Sequence, residues 1–446
     1  MKIHFSKLVT LYLAISITTG CSKNSAPTQT NNTTPTPVTS PVTPPSSKLP
    51  HFVVNAGTGS FVVDSLGGAV TQNEINAFVN YMNGYAKPAS NDGNQWVFGN
   101  PGKALEACGL MYDAIRNNPT NNIGVLNRMI YYADAALEGR NDLESTANGG
   151  QFTTWTGQID PVWPSSTQTT PAQAGVEQGL VLAHIVYCSL LILETPSIWN
   201  NTIPDNDPNK LGATYKARAL TYLAQCDYVI DKWILPYFIQ TNTNYYFFPG
   251  APNTYMANSV APWNQAWMLT DGIVRLAQCH AILNDAPSRL AQYDVIAKAN
   301  INYFFANRKN NTSKAGTPCY LWAYSGSASN GLEDTNHFAY DAEGLFIAYY
   351  SGRYGLTTND VLPYANTYID VVLASLDSQG DFAGLVDGSY GSNTHSSGDN
   401  YVRDEYLYFA EFRPDSYVKM ARLDSTKLHS SPSIISRLFF EKSRRK

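Results

Sequence analysis

The chain has 446 residues, 43% of them hydrophobic and only 15% charged, which supplies apolar side chains for a large packed core and excludes a disordered chain. Its 30 Lys and Arg against 35 Asp and Glu leave a formal charge of −5, and removing a leader that holds Lys2 and Lys7 makes it −7. So acidic a body excludes nucleic acid as a natural partner, and an anionic ligand has to be met by a local basic cluster.

Residues 1–20, "MKIHFSKLVTLYLAISITTG", place two lysines ahead of an apolar stretch from Leu8 to Ile17, the form of a signal peptide and too short for a membrane span. The stretch ends at Cys21 after Thr18, Thr19 and Gly20. It resembles a bacterial lipoprotein signal, although Thr18 stands where such signals usually carry Leu. That resemblance implies an exported protein in the periplasm or on the outer membrane, attached to the bilayer through a lipid on Cys21. Residues 21–50 are rich in Pro, Thr, Ser and Asn and hold no apolar cluster, so they read as a tether. Residues 51–446 are expected to form a single domain.

"HFVVN" and "SFVVD" flank "AGTG" and predict a hairpin. Helical periodicity dominates from about residue 74. "NEINAFVNYMNGY", "KALEACGLMYDAIRNN" and "NNIGVLNRMIYYADAALEG" carry apolar residues at three- and four-residue steps. Tyr215, Ala219, Tyr222, Cys226, Val229 and Trp233 make one such stripe, with Leu220, Leu223, Ile230 and Ile234 as a second apolar flank. A helix greasy on more than one side is packed between neighbours. Further helices are expected from Pro262 through "WNQAWMLTDGIVRLAQCHAILND", and over "SRLAQYDVIAKANINYFFANR", "AYDAEGLFIAYYSG" and "NDVLPYANTYIDVVLASL". The basic end "SRLFFEKSRRK" reads as a tail. Cys108, Cys188, Cys226, Cys279 and Cys319 include no CxxC pair and are expected as buried thiols, with one disulfide as the alternative in an exported protein.

Long polar-aromatic loops, near 140–170, 236–262, 308–335 and 378–400, separate these helices. Helices in series joined alternately by short turns and long loops predict an all-α fold with few short strands. The expected form is an α/α toroid, a closed or incomplete double ring of helical hairpins; an open solenoid is the rival. The loops carry groups suited to sugars: Trp155, Gln158, Asp160 and Trp163; Trp263, Asn264, Gln265 and Trp267; Tyr320, Trp322 and Tyr324. Indole and phenol faces stack on pyranose C–H faces, and amides bond hydroxyls. Gln178 and His184, on a shared helix, are further candidates, with a core histidine as the plainer reading of His184.

"EDTNHFAYDAEG", 333–344, crowds Glu333, Asp334, Asn336, His337, Tyr340 and Asp341 into a helix entrance. One reading is a capped helix start, with acids favoured by the helix dipole. A second is a metal cage from Glu333, Asp334 and His337, but a second ligand set with metal-like spacing is missing, so no metal or cofactor is expected. A third is a proton-transfer site: Asn336 to hold a substrate carboxylate, neutral His337 to take a proton beside it, and Tyr340 one turn onward on the same face. β-Elimination of a uronate polymer has these needs. The C5 proton is weakly acidic, so the carboxylate must be neutralised before a base can act, and an acid must protonate the departing C4 oxygen.

"TNHFAYD" resembles the Asn-His-x-x-Tyr signature of α/α-barrel alginate lyases. With "APWNQAWMLTDGIVRLAQC", "YLWAYSG", "EDTNHFAYDAEGLFIAYYSGRYG" and "YANTYIDVV", the run from about 170 to 375 resembles exported polysaccharide lyases acting on poly-mannuronate or glucuronan. The resemblance implies Asn336 as neutraliser, His337 as base, an acidic polysaccharide as partner and a monomer. It also implies an Arg and a Tyr on a later segment; "NYVRDEYLYF" offers Arg403, Tyr406 and Tyr408, and "SGRYG" offers Arg353 and Tyr354. Tyr340 and Tyr324 stay open as the acid. Two other functions compete: a glycoside hydrolase with carboxylates from Glu333, Asp334, Asp341 and Asp160, and a glycan-binding lipoprotein without catalysis.

Overall fold

The structure, a computed structural model, describes residues 52–55, 60–63, 65–87, 103–117, 122–327, 331–376, 382–389, 403–427 and 432–445. Residues 1–50, with the expected signal, Cys21 and the expected tether, lie outside the described residues. The fold is mostly helical, with a few two-stranded hairpins. The first, β1 (Phe52–Asn55) with β2 (Ser60–Val63), is antiparallel in the register Phe52↔Val63 to Asn55↔Ser60.

The helices α1 (Gln72–Gly84), α2 (Lys103–Ile115), α3 (Asn122–Glu138) and α4 (Gln178–Leu193) follow. Thr71 and Glu74 close a capping box on α1, satisfying two orphan N–H groups at its start. The helix α5 (Tyr215–Val229) runs on through a π turn, Ile230–Ile234, so the apolar stripe up to Trp233 spans a change of winding. A short hairpin of β3 (Phe247–Phe248) and β4 (Ser259–Val260) leads to α6 (Trp263–Leu283) and α7 (Pro287–Ala306). The hairpin of β5 (Lys309–Thr312) and β6 (Pro318–Leu321) precedes α8 (Thr335–Tyr350) and α9 (Thr358–Asn366). A 3-10 segment, Asp404–Glu411, and the helices α10 (Tyr417–Lys427) and α11 (Pro432–Ser443) complete the described chain. None of the described helices is long and apolar enough to cross a membrane.

The packing has two tiers. In the inner tier α2 lies on α4, α4 on α6, α6 on α8, α8 on the 3-10 segment, that segment on α11, and α11 back on α2. Outside it α3 covers α2 and α4, α5 covers α4, α7 covers α6, α9 covers α8, and α10 covers the 3-10 segment. Every residue of α4 is buried, as an apolar helix enclosed on all sides must be. Close approach needs missing side chains. A Cβ on Gly179 of α4 would collide with the Leu269 backbone of α6, and one on Gly344 of α8 would meet the Trp267 ring at 2.5 Å. A small cavity of about 60 Å³ is lined by all six inner elements, through Leu110, Tyr187, Arg275, Phe346, Tyr408 and Phe440.

Buried ion pairs stitch the inner tier. Arg275 of α6 donates to both oxygens of Glu106 on α2, at 2.9 and 3.1 Å, and His184 of α4 lies 3.1 Å from the same carboxylate. Burial opposes charge on Glu106, but Arg275 and then His184 outweigh it and hold the carboxyl well below its ordinary range. The basic end is not a tail. Its apolar residues Ile434, Ile435, Leu438, Phe439 and Phe440 bury the helix, and its cations go in paired, Arg437 with Asp404 at 2.9 Å and Lys442 with Glu74 at 2.8 Å. All five cysteines from Cys108 to Cys319 are buried free thiols.

Gly179→Ala is expected to lower the unfolding free energy by about 1–3 kcal/mol through forced separation of α4 and α6. Gly84→Ala meets nothing within 4 Å and is expected to be neutral or stabilising by up to about 1 kcal/mol. Urea unfolding followed by circular dichroism compares the two; equal midpoints for both variants and the parent chain would contradict the close-packed interface.

Candidate functional site

The start of α8 is built around one carboxylate. Asp334 is the N-cap, in extended conformation, and its Oδ1 accepts the backbone N–H groups of Asn336 and His337, both at 2.9 Å. Its Oδ2 accepts from His337 Nδ1 at 2.7 Å. Burial raises the Asp334 pKa, but the bond from the His337 side chain, the imidazole's charge and the two N–H groups prevail, so the carboxyl titrates below its ordinary value. An ionised Asp334 holds the proton on Nδ1 and leaves Nε2 as the basic nitrogen. His337 keeps a third of its side chain exposed.

The neighbouring amide is oriented in the same way. Arg403, at the head of the 3-10 segment, donates from Nη1 to Asn336 Oδ1 at 2.9 Å. A guanidinium has donors only, so the contact must be the amide oxygen, which leaves the Asn336 NH₂ on the side away from Arg403 as a donor. Arg403 is itself fixed by two bonds to Glu405, at 3.1 and 2.9 Å, and lies over the Tyr340 ring at 4.7 Å. Lys103 of α2 reaches the same Glu405 at 2.6 Å. Burial opposes charge on Glu405, yet Arg403 and Lys103 pull its pKa far down.

A phenol completes the cluster. Tyr324 follows β6 in a segment pinned on both sides: its carbonyl accepts from Trp263 N at 3.2 Å, and Ala323 bridges Leu332. This sets the Tyr324 ring 5.0 Å from the His337 ring, half-buried, with its hydroxyl 3.1 Å from that of Tyr255.

Behind the dyad sit two buried carboxyls. Glu333 and Asp341 are fully buried, and Glu333 Oε2 and Asp341 Oδ1 have no hydrogen-bond partner; Asp341 Oδ2 accepts from Trp322 Nε1 at 3.1 Å. Burial, then the charges of Asp341 and Asp334, push Glu333 well above the carboxylate range; burial and Asp334 do the same to Asp341. Glu333, Asp334 and His337 do bring one ligand atom each within 4.8 Å of one another. The fit to a divalent cation is poor, because both Asp334 oxygens are already taken by three N–H groups, one of them His337 Nδ1.

The structure thus brings together Asn336, His337, Tyr340, Arg403 and Tyr324. Other expected site residues lie elsewhere or face inward. Tyr406 is 1% exposed, stacked on Tyr368 at 3.7 Å, with its hydroxyl bound to the Thr335 carbonyl, so it supports α8 from beneath. Trp163 and Gln178 lock each other by two backbone–amide bonds, at 2.6 and 2.9 Å. His184 serves the Glu106 pair, and Trp263, Asn264, Trp267, Trp322 and Glu333 are core residues, because the helices they begin or adjoin are enclosed by neighbours. Arg353 pairs with Asp294 of α7, in the outer tier. Trp155 is half-buried against Trp233 and Tyr237, and Gln158 is exposed.

Three members escaped the sequence reading: Asp334 as orienter of the imidazole, Glu405 as anchor of Arg403, and Tyr255. For Asp334 the signal was present, an acid three positions before a histidine at a helix start. For Tyr255, 82 residues before His337 in the chain, there was none.

Asp334→Ala is expected to cost about 1–2 kcal/mol at neutral pH through the lost cap. Because the folded pKa of Asp334 is depressed, its stabilisation is present above the unfolded value and lost as pH falls through the folded one. The gap between parent and variant in urea unfolding should therefore narrow below about pH 4; a gap that widens in acid would contradict the assignment. Comparison with known proteins adds no relative: no family model, curated protein or solved structure matches this chain.

Proposed function

We propose that this chain is an exported polysaccharide lyase that cleaves a uronic-acid polymer of the alginate or glucuronan type by β-elimination. Asn336 NH₂ and the remaining Arg403 donors bind the carboxylate at the cleavage point and draw charge from it, which acidifies the C5 proton. His337 Nε2 takes that proton, while Asp334 holds the ring and stabilises the imidazolium. The phenol of Tyr324 delivers a proton to the C4 oxygen as the bond breaks. The observation that carries this reading is the joint orientation of Asn336 and His337, each fixed by its own charged partner at hydrogen-bond distance.

We further infer an α/α toroid as the scaffold and a monomer as the working form, tethered by a lipid on Cys21. The closed circuit of inner elements and their shared axial cavity support the toroid. The entrances of α2, α6, α8 and the 3-10 segment meet at the cluster, through Lys103–Glu405, Trp263–Tyr324 and Arg403–Asn336. Helix N-termini favour anions, which suits an acidic polysaccharide despite the protein's own negative charge. A hydrolase is disfavoured, since two of its four candidate carboxylates, Glu333 and Asp341, are fully buried.

Incubation with alginate, glucuronan, pectate and glycosaminoglycans, followed by ultraviolet absorbance of the unsaturated uronate, tests the reaction. His337→Ala is expected to lower turnover about 10²–10⁴-fold with polymer binding retained. Asp334→Asn keeps a good cap, so its fold should hold while turnover falls. New reducing ends without the unsaturated chromophore would instead favour hydrolysis, and binding without either product would favour a glycan-binding protein.

A further inference from the structure

We propose that Tyr255 is a proton relay to Tyr324, returning a proton from solvent to the phenol after each cleavage. This rests on the elimination reading above. The two hydroxyls are 3.1 Å apart, and the partners differ in exposure: Tyr324 is half-buried beside His337, whereas Tyr255 is 41% exposed. Tyr255 belongs to the turn between β3 and β4 and is held in place rather than free to swing. Its ring meets Phe248 edge-on at 5.9 Å, and Asn253 Nδ2 donates to the Pro171 carbonyl at 2.8 Å. Asn253, Met256 and Asn258 take positive φ, a tight path that turns Tyr255 toward Tyr324.

The chemistry requires such a path. In one turnover the C5–H bond breaks and its proton goes to His337 Nε2. The electron pair becomes the C4=C5 double bond, the C4–O bond breaks, and the departing oxygen takes the Tyr324 proton. The enzyme is left with an imidazolium and a phenolate. His337 loses its proton to water. Tyr324 takes the Tyr255 hydroxyl proton, and Tyr255 regains one from water, so no net proton is consumed. Tyr324 makes a poor resting phenolate: burial, the Tyr255 hydroxyl and the charge of Asp334 all push its pKa up. Buried on one side and covered by product on the other, it is best recharged through its hydrogen-bonded neighbour.

Tyr255→Phe keeps the ring and removes the hydroxyl. The expected result is a split between phases. The first turnover, measured with enzyme in excess over polymer ends, should stay within about twofold of the parent, while steady-state turnover falls on the order of tenfold. Added imidazolium or ammonium buffer should restore the steady state by supplying a small acid. An equal fall in both phases without buffer rescue means that Tyr255 only props Tyr324, and no change in either means that water recharges Tyr324 directly; each overturns the relay. A parent enzyme that forms no unsaturated uronate from any of the four polymer classes overturns the elimination reading and the relay with it. If the parent is active and only the variant's behaviour departs, the relay alone falls.

Discussion

One carboxylate organises the entrance of α8 and the polar cluster around it. Asp334 accepts two backbone N–H groups and the imidazole of His337, so the group that begins α8 also selects the tautomer of the residue one turn in. The two tasks are physically inseparable. An N-cap must be an acceptor facing the helix axis, and an acceptor there lies within reach of the side chain at the third helical position. Ionisation is favoured by all three donors, so the cap, the dyad and the low pKa are one electrostatic arrangement.

Arg403 plays the corresponding part for Asn336, from a distant stretch of chain. Its guanidinium is held by Glu405, and Glu405 also binds Lys103, so three inner elements contribute to fixing one amide. Buried charges of this kind cost desolvation and add little net stability. Their consequence here is orientation: removing Glu405 would free Arg403 from the two bonds that aim it at Asn336. Nearer the axis, Arg275, Glu106 and His184 repeat the pattern and join α2, α4 and α6. The inner tier is thus held together by apolar contact and registered by ion pairs.

The orphaned polar atoms fit the same picture. Glu333 Oε2, Asp341 Oδ1 and Asn264 Oδ1 are buried without partners near the entrances of α6 and α8. Burial pushes both acids well above the ordinary carboxylate range, as expected where no cation offsets the cost of burying a charge.

Much of this was present in the sequence. Periodicity determined most of the helices up to α9, because burying an apolar stripe at 3.6-residue spacing has one local solution; α5, α6 and α7 follow from it within a few residues, whereas α10 and α11 do not. The local cluster at 333–341 was likewise legible, since cap, imidazole and amide lie within one turn. What periodicity reports is that a face is buried, not what buries it. Trp163, Gln178, Trp263, Trp267 and Trp322 carry the side chains of a sugar site, yet the enclosing neighbours make them core, and only the tertiary structure decided that. The same holds for "SRLFFEKSRRK", which is basic in composition but closes the inner tier because Asp404 and Glu74 neutralise it there. Arg403, Tyr324 and Tyr255 come to Asn336 and His337 from separate loops, so their meeting depends on how the helices pack, a long-range outcome that no spacing along the chain encodes.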